Sequence, residues 1–130
     1  MSEGHVILII EDNAKNLKLV RDILQFKGYA TLDAESGEAG IALARQKRPA
    51  LILMDVQLPR MDGRAAMKVL KADASTREIP IIALTAYAMK GDRESLLADG
   101  FDGYIAKPID IEALPRVMES YLGRRPGREP

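Results

Sequence analysis

Four short apolar runs in this chain each end at residues that can bind a cation or a phosphoryl group. The runs, each paired with the residues at its carboxyl end, are Val6–Ile10 with Glu11 and Asp12, Leu51–Met54 with Asp55, Ile81–Leu84 with Thr85, and Tyr104–Ala106 with Lys107. Carboxylates, a hydroxyl and an ammonium group are the side chains that a divalent cation and a phosphate need. The pattern therefore directs attention to wherever the four run ends lie in the fold.

The runs themselves predict the strands that bring these residues together. Short, continuous runs rich in branched residues are typical of strands buried on both faces of a parallel sheet. Ligand sites in such sheets lie beyond the carboxyl ends of the strands. We therefore expect three carboxylates, one hydroxyl and one ammonium group to meet at one rim of a sheet.

Helical patterns alternate with the strands along the chain, which predicts an α/β fold with parallel strands. Five strands and five helices are expected, and the right-handed crossover rule leaves few ways to wind them. A flavodoxin-like, doubly wound sheet with strand order 2-1-3-4-5 has its switch point between strands one and three, where Glu11, Asp12 and Asp55 fall. Residues 1–122 are expected to form this domain, and residues 123–130 a flexible tail.

The composition excludes several other kinds of site. The chain has no cysteine and a single histidine, His5, so thiol, disulfide and multi-histidine metal chemistry are not expected. Its 19 basic and 19 acidic residues balance, which gives no bulk attraction to nucleic acid or to an anionic membrane. No apolar stretch is long enough to insert in a membrane and the N-terminus lacks a signal-peptide pattern, so a cytoplasmic location is the default expectation.

The three carboxylates predict a magnesium site. Held close together they would repel one another, and their pKa values would rise unless a cation lay among them. Mg²⁺ prefers hard oxygen ligands, so two or three of Glu11, Asp12 and Asp55 with a backbone carbonyl of the next loop would hold it. Asp55 is also a reasonable nucleophile toward phosphorus. Lys107 and Thr85 would then contact oxygens of the transferred group.

Each of these residues taken alone has a simpler explanation. Glu11 and Asp12 could merely cap a helix, since acids are favoured there. Asp55 could be a solvated loop acid, Thr85 an ordinary strand residue and Lys107 a surface lysine. None of these explanations accounts for their coincidence at four strand ends of one rim.

The same residues resemble a known family. Segments that match the receiver domain of two-component response regulators, spread from about residue 5 to about residue 122, are Ile10–Asn13, Leu53–Pro59 with Met61–Gly63, Ala83–Ala86 and Tyr104–Pro108. The stretch Thr85–Asp92 is most similar to stand-alone receivers of the DivK type, which implies a part in cell-cycle control. The resemblance implies a signalling domain and not an enzyme. A histidine kinase or histidine phosphotransfer protein would supply the phosphoryl group, and a downstream protein partner would respond.

The resemblance assigns roles to the carboxylates. Asp55 would be the phospho-acceptor. Asp12, Asp55 and the backbone carbonyl of Gln57 would bind Mg²⁺ directly. Glu11 stands where aspartate is common in the family, and it would act mostly through bound water.

The resemblance also assigns roles around the phosphoryl group. Lys107 would contact it, and the bond from Lys107 to Pro108 would be cis. Thr85 would move toward the phosphate, and Tyr104 would swing inward as the space behind Thr85 opens.

A partner is expected to dock over the fourth helix, the fifth strand and the fifth helix, because Tyr104 and Lys107 both belong to the fifth strand. Methionine and tyrosine suit an adaptable contact patch. The residues expected on this face are Tyr87, Ala88, Met89, Leu97, Tyr104 and Ile111.

Two other classes share part of the pattern. A haloacid-dehalogenase-like phosphohydrolase would use Asp55 as nucleophile with magnesium, a threonine and a lysine, but it typically needs a second acid where Gln57 stands. A flavodoxin-like cofactor binder would have to place a flavin phosphate at an acid-lined rim. Among receivers, the starting methionine and the short tail favour a stand-alone chain over a piece of a hybrid kinase.

Overall fold

A computed structural model describes residues 5–86 and 89–123, and in these residues five strands alternate with five helices. The elements are β1 (Val6–Ile10), α1 (Ala14–Phe26), β2 (Ala30–Ala34), α2 (Gly37–Lys47), β3 (Leu51–Asp55), α3 (Gly63–Ala72), β4 (Ile81–Thr85), α4 (Lys90–Asp99), β5 (Gly103–Ala106) and α5 (Ala113–Leu122). Asp55 and Thr85 are thus the last residues of their strands.

The sheet is parallel, and its strand order is β2-β1-β3-β4-β5, as the sequence predicts. The inner strands β3 and β4 are buried along their whole length, whereas the edge strands β2 and β5 are partly exposed. Ile10 pairs with Met54 and Asp55 pairs with Leu84. This register brings the carboxyl ends of β1, β3 and β4 to one level at the rim.

The two faces of the sheet carry separate apolar cores. Side chains of α2, α3 and α4 cover one face, and side chains of α1 and α5 cover the other. In α1 the buried residues Leu17, Val20 and Leu24 recur at helical spacing, which directs one stripe of the helix to the sheet. No helix within the described part of the chain is long and apolar enough to cross a membrane.

Side-chain caps start the helices that follow β1 and β3 at the rim. The Asn13 side chain accepts hydrogen bonds from the backbone N–H groups of Lys15 and Asn16, each at 3.0 Å, and so begins α1. The Asp62 side chain accepts from Ala65 N–H at 2.9 Å and begins α3. Such caps satisfy donors that have no partner inside the helix. They also define where the loops after β1 and β3 end. The first loop contains Glu11 and Asp12, and the second follows Asp55 directly.

A polar network at the opposite end of the sheet, where the strands begin, joins the start of β4 to the start of β5. Asp102 Oδ2 accepts from Ile81 N–H at 2.8 Å and from Lys71 Nζ at 2.9 Å. The Asp102 backbone carbonyl accepts from the hydroxyl of Tyr121 on α5 at 2.6 Å. We call these contacts the Asp102 anchor. It ties α3, β4, β5 and α5 together at the end of the sheet that lies away from the acidic rim.

The Asp102 anchor yields a stability prediction. Asp102→Ala leaves the Ile81 N–H and the Lys71 ammonium without this acceptor, so the free energy of unfolding should fall by about 1–3 kcal/mol. Tyr121→Phe removes one hydrogen bond only and should cost about 1 kcal/mol. Urea unfolding followed by circular dichroism measures both. An Asp102→Ala loss no larger than that of Tyr121→Phe would contradict the assignment.

Candidate metal and phosphoryl site

Three carboxylates meet at the rim between β1 and β3, as the sequence predicts. One oxygen from each of Glu11, Asp12 and Asp55 lies within 4.8 Å of the others. Glu11 is 0% exposed and Asp55 is 4% exposed, whereas Asp12 faces solvent. The cluster is therefore buried on the side of the sheet and open to water at Asp12.

Lys107 approaches this cluster from the end of β5. Its Nζ lies 3.1 Å from Glu11 Oε1 and 3.3 Å from Asp55 Oδ2. Its backbone N–H donates to the carbonyl of Thr85 at 2.8 Å, which holds the residue against the end of β4. The bond from Lys107 to Pro108 is cis, as expected. One ammonium group thus lies between two buried carboxylates.

The loop after β3 orients Asp55. The Gln57 N–H donates to Asp55 Oδ1 at 3.0 Å, and Val56 N–H donates to the Leu84 carbonyl at 3.1 Å. Where the loop closes, the Gly63 N–H donates to the Val56 carbonyl at 2.8 Å. A Cβ added at Gly63 would collide with the Asp55 carbonyl and Val56 Cα. This close approach requires glycine, a requirement that the turn-rich sequence here suggests only in general terms.

Glu11 resists ionisation in this cluster. Burial, followed by the neighbouring Asp55 carboxylate, raises the pKa of Glu11 from its ordinary value of 4.5 to about 7, against the opposing effects of Asn13 N–H and Lys107. The Asn13 N–H donates to Glu11 Oε2 at 3.2 Å. Glu11 Oε1 forms an ion pair with Lys107 Nζ at 3.1 Å.

The donor set fits a hard divalent cation. Carboxylate oxygens converge within reach of one ion, and the buried Glu11 Oε1 still has acceptor capacity. Mg²⁺ prefers oxygen ligands and retains several waters. The exposed Asp12 leaves room for such waters on the open side of the cluster.

Thr85 and Tyr104 lie on neighbouring strands near this rim. Thr85 ends β4, is 4% exposed and pairs in register with Ala106. Tyr104 pairs with Ala83, is half-buried and packs against the core beneath α2, α3 and α4. Its hydroxyl accepts a hydrogen bond from Arg93 Nη1 at 3.2 Å. Sequence reasoning did not find Arg93, because no pattern in the sequence relates a charged residue of α4 to a strand tyrosine.

The residues expected on a partner face lie in two regions. Tyr87 and Ala88 fall outside the described residues. Met89 and Leu97 of the α4 segment are 75% and 47% exposed. Ile111 is 62% exposed, but it lines a groove of about 550 Å³ between α1 and α5, together with the 86% exposed Phe26. Phe26 was not predicted, because an exposed aromatic at a helix end has no distinctive sequence pattern.

Comparison with known proteins agrees with this geometry. Residues 7–119 match the response regulator receiver domain family. The polar-differentiation response regulators DivK of Brucella anthropi and Brucella ovis are each 46% identical to this chain over 117 residues, which is 90% of this chain and 95% of each relative.

Solved structures of response regulators and receiver domains have the same fold as this chain. A putative response regulator from Chloroflexus aurantiacus superposes with a TM-score of 0.87 at 28% identity, over 92% of this chain and 98% of that one. The receiver domain of sensor histidine kinase PA1611 from Pseudomonas aeruginosa, which has a magnesium ion coordinated in its active site cleft, gives 0.85 at 37% identity over 93% and 99%. The chain belongs to the response regulator receiver domain family.

Family membership makes this chain a signalling domain that works by phosphorylation. The phosphohydrolase alternative is not supported, because the comparisons match receivers and the residue two beyond Asp55 is Gln57. Gln57 has no carboxyl group for proton transfer, and it contributes its backbone N–H to orient Asp55.

The raised pKa of Glu11 predicts that a neutral residue at this position stabilises the metal-free protein, and that the gain depends on pH. Because the folded-state pKa exceeds the ordinary value, the stability contributed by protonated Glu11 is complete below pH 4.5 and is lost as pH rises through about 7. In metal-free buffer, Glu11→Gln should therefore raise the free energy of unfolding by roughly 1–3 kcal/mol near pH 8, and by less near pH 5. Urea unfolding at both pH values measures the difference.

Asp12→Asn is the matched control for this prediction. Asp12 is exposed, so its neutralisation should leave metal-free stability almost unchanged while weakening magnesium binding. An equal gain for Glu11→Gln at both pH values would show that the Glu11 charge is not the source.

The close approach at Gly63 predicts a linked loss of stability and metal affinity. Gly63→Ala must displace backbone atoms of Asp55 and Val56, so the free energy of unfolding should fall by about 1–3 kcal/mol. Magnesium binding, measured by calorimetry, should weaken with it. Gly91→Ala is the control: a Cβ at Gly91 in α4 has nothing within 4 Å, so stability should stay level or rise. If Gly63→Ala left the magnesium affinity unaltered, the loop at Gly63 would have no part in shaping the metal site.

Proposed function

We propose that Asp55 is the phospho-acceptor of this receiver. The observation that carries the proposal is the setting of Asp55: a nearly buried carboxylate with Gln57 N–H on one oxygen and Lys107 Nζ 3.3 Å from the other. A carboxylate oriented on one side and paired with a cation on the other is prepared to receive a further anionic group.

We propose that the cation is Mg²⁺. Asp12, Asp55 and the backbone carbonyl of Gln57 would bind it directly, and Glu11 would act mostly through bound water. When bound, the ion supplies positive charge opposite the phosphoryl oxygens. The convergence of the three carboxylates and the magnesium-containing receiver of Pseudomonas aeruginosa support this assignment.

In the proposed transfer, an Asp55 oxygen forms a bond to phosphorus as the bond from phosphorus to a histidine nitrogen of the donor breaks. The electron pair of the broken bond remains on the imidazole, and the product is an acyl phosphate on Asp55. Lys107 pairs with one phosphoryl oxygen, and the Thr85 hydroxyl donates to another. The domain thereby assists its own phosphorylation and dephosphorylation, and it converts no separate substrate.

The proposed phosphoryl donor is a histidine kinase or histidine phosphotransfer protein. The proposed output partner is a downstream protein that binds this chain. Thr85 and Tyr104 would form the movable pair that links Asp55 to that protein, by shifting a pre-existing equilibrium. The 46% identity with polar-differentiation response regulators supports a part in cell differentiation and cell-cycle control. The proposed docking residues are Tyr87, Ala88, Met89, Leu97, Tyr104 and Ile111.

The proposal predicts labelling that depends on both Asp55 and magnesium. Acetyl phosphate should add one phosphoryl group to the chain only when Mg²⁺ is present, and the label should be stable to acid and labile to base. Intact-protein mass spectrometry measures it. Asp55→Asn should abolish the label because the amide is a poor nucleophile.

Asp110→Asn is the matched control. The Asp110 side chain accepts from Glu112 and Ala113 N–H groups, a capping role that asparagine also fills, so labelling should persist. Labelling of Asp55→Asn to the same extent as the unaltered chain would refute the assignment. Steady hydrolysis of phosphate monoesters would favour a phosphohydrolase instead.

A further inference from the structure

Helix α4 is attached to the domain by few apolar contacts. Among its described side chains only Leu96 is buried, and Met89 at its start provides no side-chain cap. Arg64 of α3 instead forms an ion pair with Asp99, near the end of the helix. An element held by one apolar residue and by polar contacts can change position at low cost. Individual polar contacts of α4 therefore carry unusual weight in its placement.

One of these polar contacts joins α4 to β5. The Arg93 guanidinium lies over the Tyr104 ring, with Cζ 5.7 Å from the ring centroid, and its Nη1 donates to the Tyr104 hydroxyl at 3.2 Å. Arg93 is exposed, whereas the ring of Tyr104 packs against the core. A single side chain thus contacts both the face and the hydroxyl of the same tyrosine.

We propose that Arg93 is a positioning residue that holds Tyr104 in its unphosphorylated arrangement and so sets the resting balance of the switch. This inference rests on the proposed function, in which Tyr104 moves inward after phosphorylation of Asp55. For the ring to move, the cation–π contact and the hydrogen bond with Arg93 must both break. Arg93 therefore opposes activation, and its removal increases the fraction of molecules already in the active arrangement.

The test combines a spectroscopic and a binding measurement on the full chain. Tyrosines are replaced by 3-fluorotyrosine, and Tyr104→Leu identifies the Tyr104 fluorine resonance. Magnesium with beryllium fluoride, a phosphoryl mimic, should move this resonance in the unaltered chain. In Arg93→Ala the resonance without ligand should already lie closer to the beryllium fluoride position, and the affinity for beryllium fluoride should rise about 3- to 10-fold.

Two variants control for charge and shape. Loss of a positive charge alone weakens binding of an anion, so a gain in affinity has the opposite sign to a charge effect. Arg45→Ala removes another exposed arginine, which joins α2 to Asp73, and should produce no gain. Arg93→Lys keeps a cation but lacks the planar guanidinium, and should give a smaller gain than Arg93→Ala.

The coupling between the two residues decides the proposal. In a Tyr104→Leu background, Arg93→Ala should no longer alter beryllium fluoride affinity, because its partner is absent. An undiminished effect there, or an equal gain from Arg45→Ala, overturns the proposal. If the unaltered chain responds to beryllium fluoride but Arg93→Ala behaves identically, Arg93 is not a positioning residue and the proposed function stands. If the Tyr104 resonance of the unaltered chain does not respond, the proposed switch and the role of Arg93 both fail.

Discussion

Two buried carboxylates share one lysine at the rim of the sheet, and the rest of the site depends on this unequal pairing. Lys107 lies within ion-pair distance of both Glu11 and Asp55, so one positive charge faces two potential negative charges. The fold accommodates the excess by raising the pKa of Glu11. A second cation would relieve the same excess, and in the proposed function a phosphoryl group on Asp55 would increase the demand for one. The proposed affinity for metal and the proposed readiness of Asp55 for phosphorylation would thus share one electrostatic origin.

The fold and the positions of the acidic residues could be predicted because both depend on strongly patterned sequence. Continuous apolar runs can be buried only as inner strands, and their carboxyl ends must meet at one rim. Asn13 and Asp62, which are good capping residues, mark where helices begin. Sequence alone could not distinguish the environments of Glu11 and Asp12. The structure buries Glu11 completely and exposes Asp12, although one carboxylate oxygen of each lies within 4.8 Å of the other.

The contacts of α4 and α5 could not be predicted, for a different physical reason. With Leu96 as its one buried described side chain, α4 has no apolar stripe to define its rotation about its axis, so the meeting of Arg93 and Tyr104 depends on the assembled fold. Ile111, one of the residues expected on the partner face, lies in the groove between α1 and α5 beside Phe26, whereas Met89 and Leu97 lie in the α4 segment. Whether one partner contacts both regions stays a prediction.

Strand β5 sets the distance between the Asp102 anchor at one end of the sheet and the acidic rim at the other. The Asp102 anchor lies immediately before its first residue and Lys107 immediately after its last, so four residues set the reach of the ammonium group toward Asp55. Side chains alternate between faces along a strand, so a shift of one residue would direct Lys107 away from the acids and bring Ala106 or Pro108 to its place. Insertions and deletions should therefore be tolerated in loops outside β5 at the end of the sheet where the Asp102 anchor lies. The spacing from Asp102 to Lys107 should stay constant in functional variants.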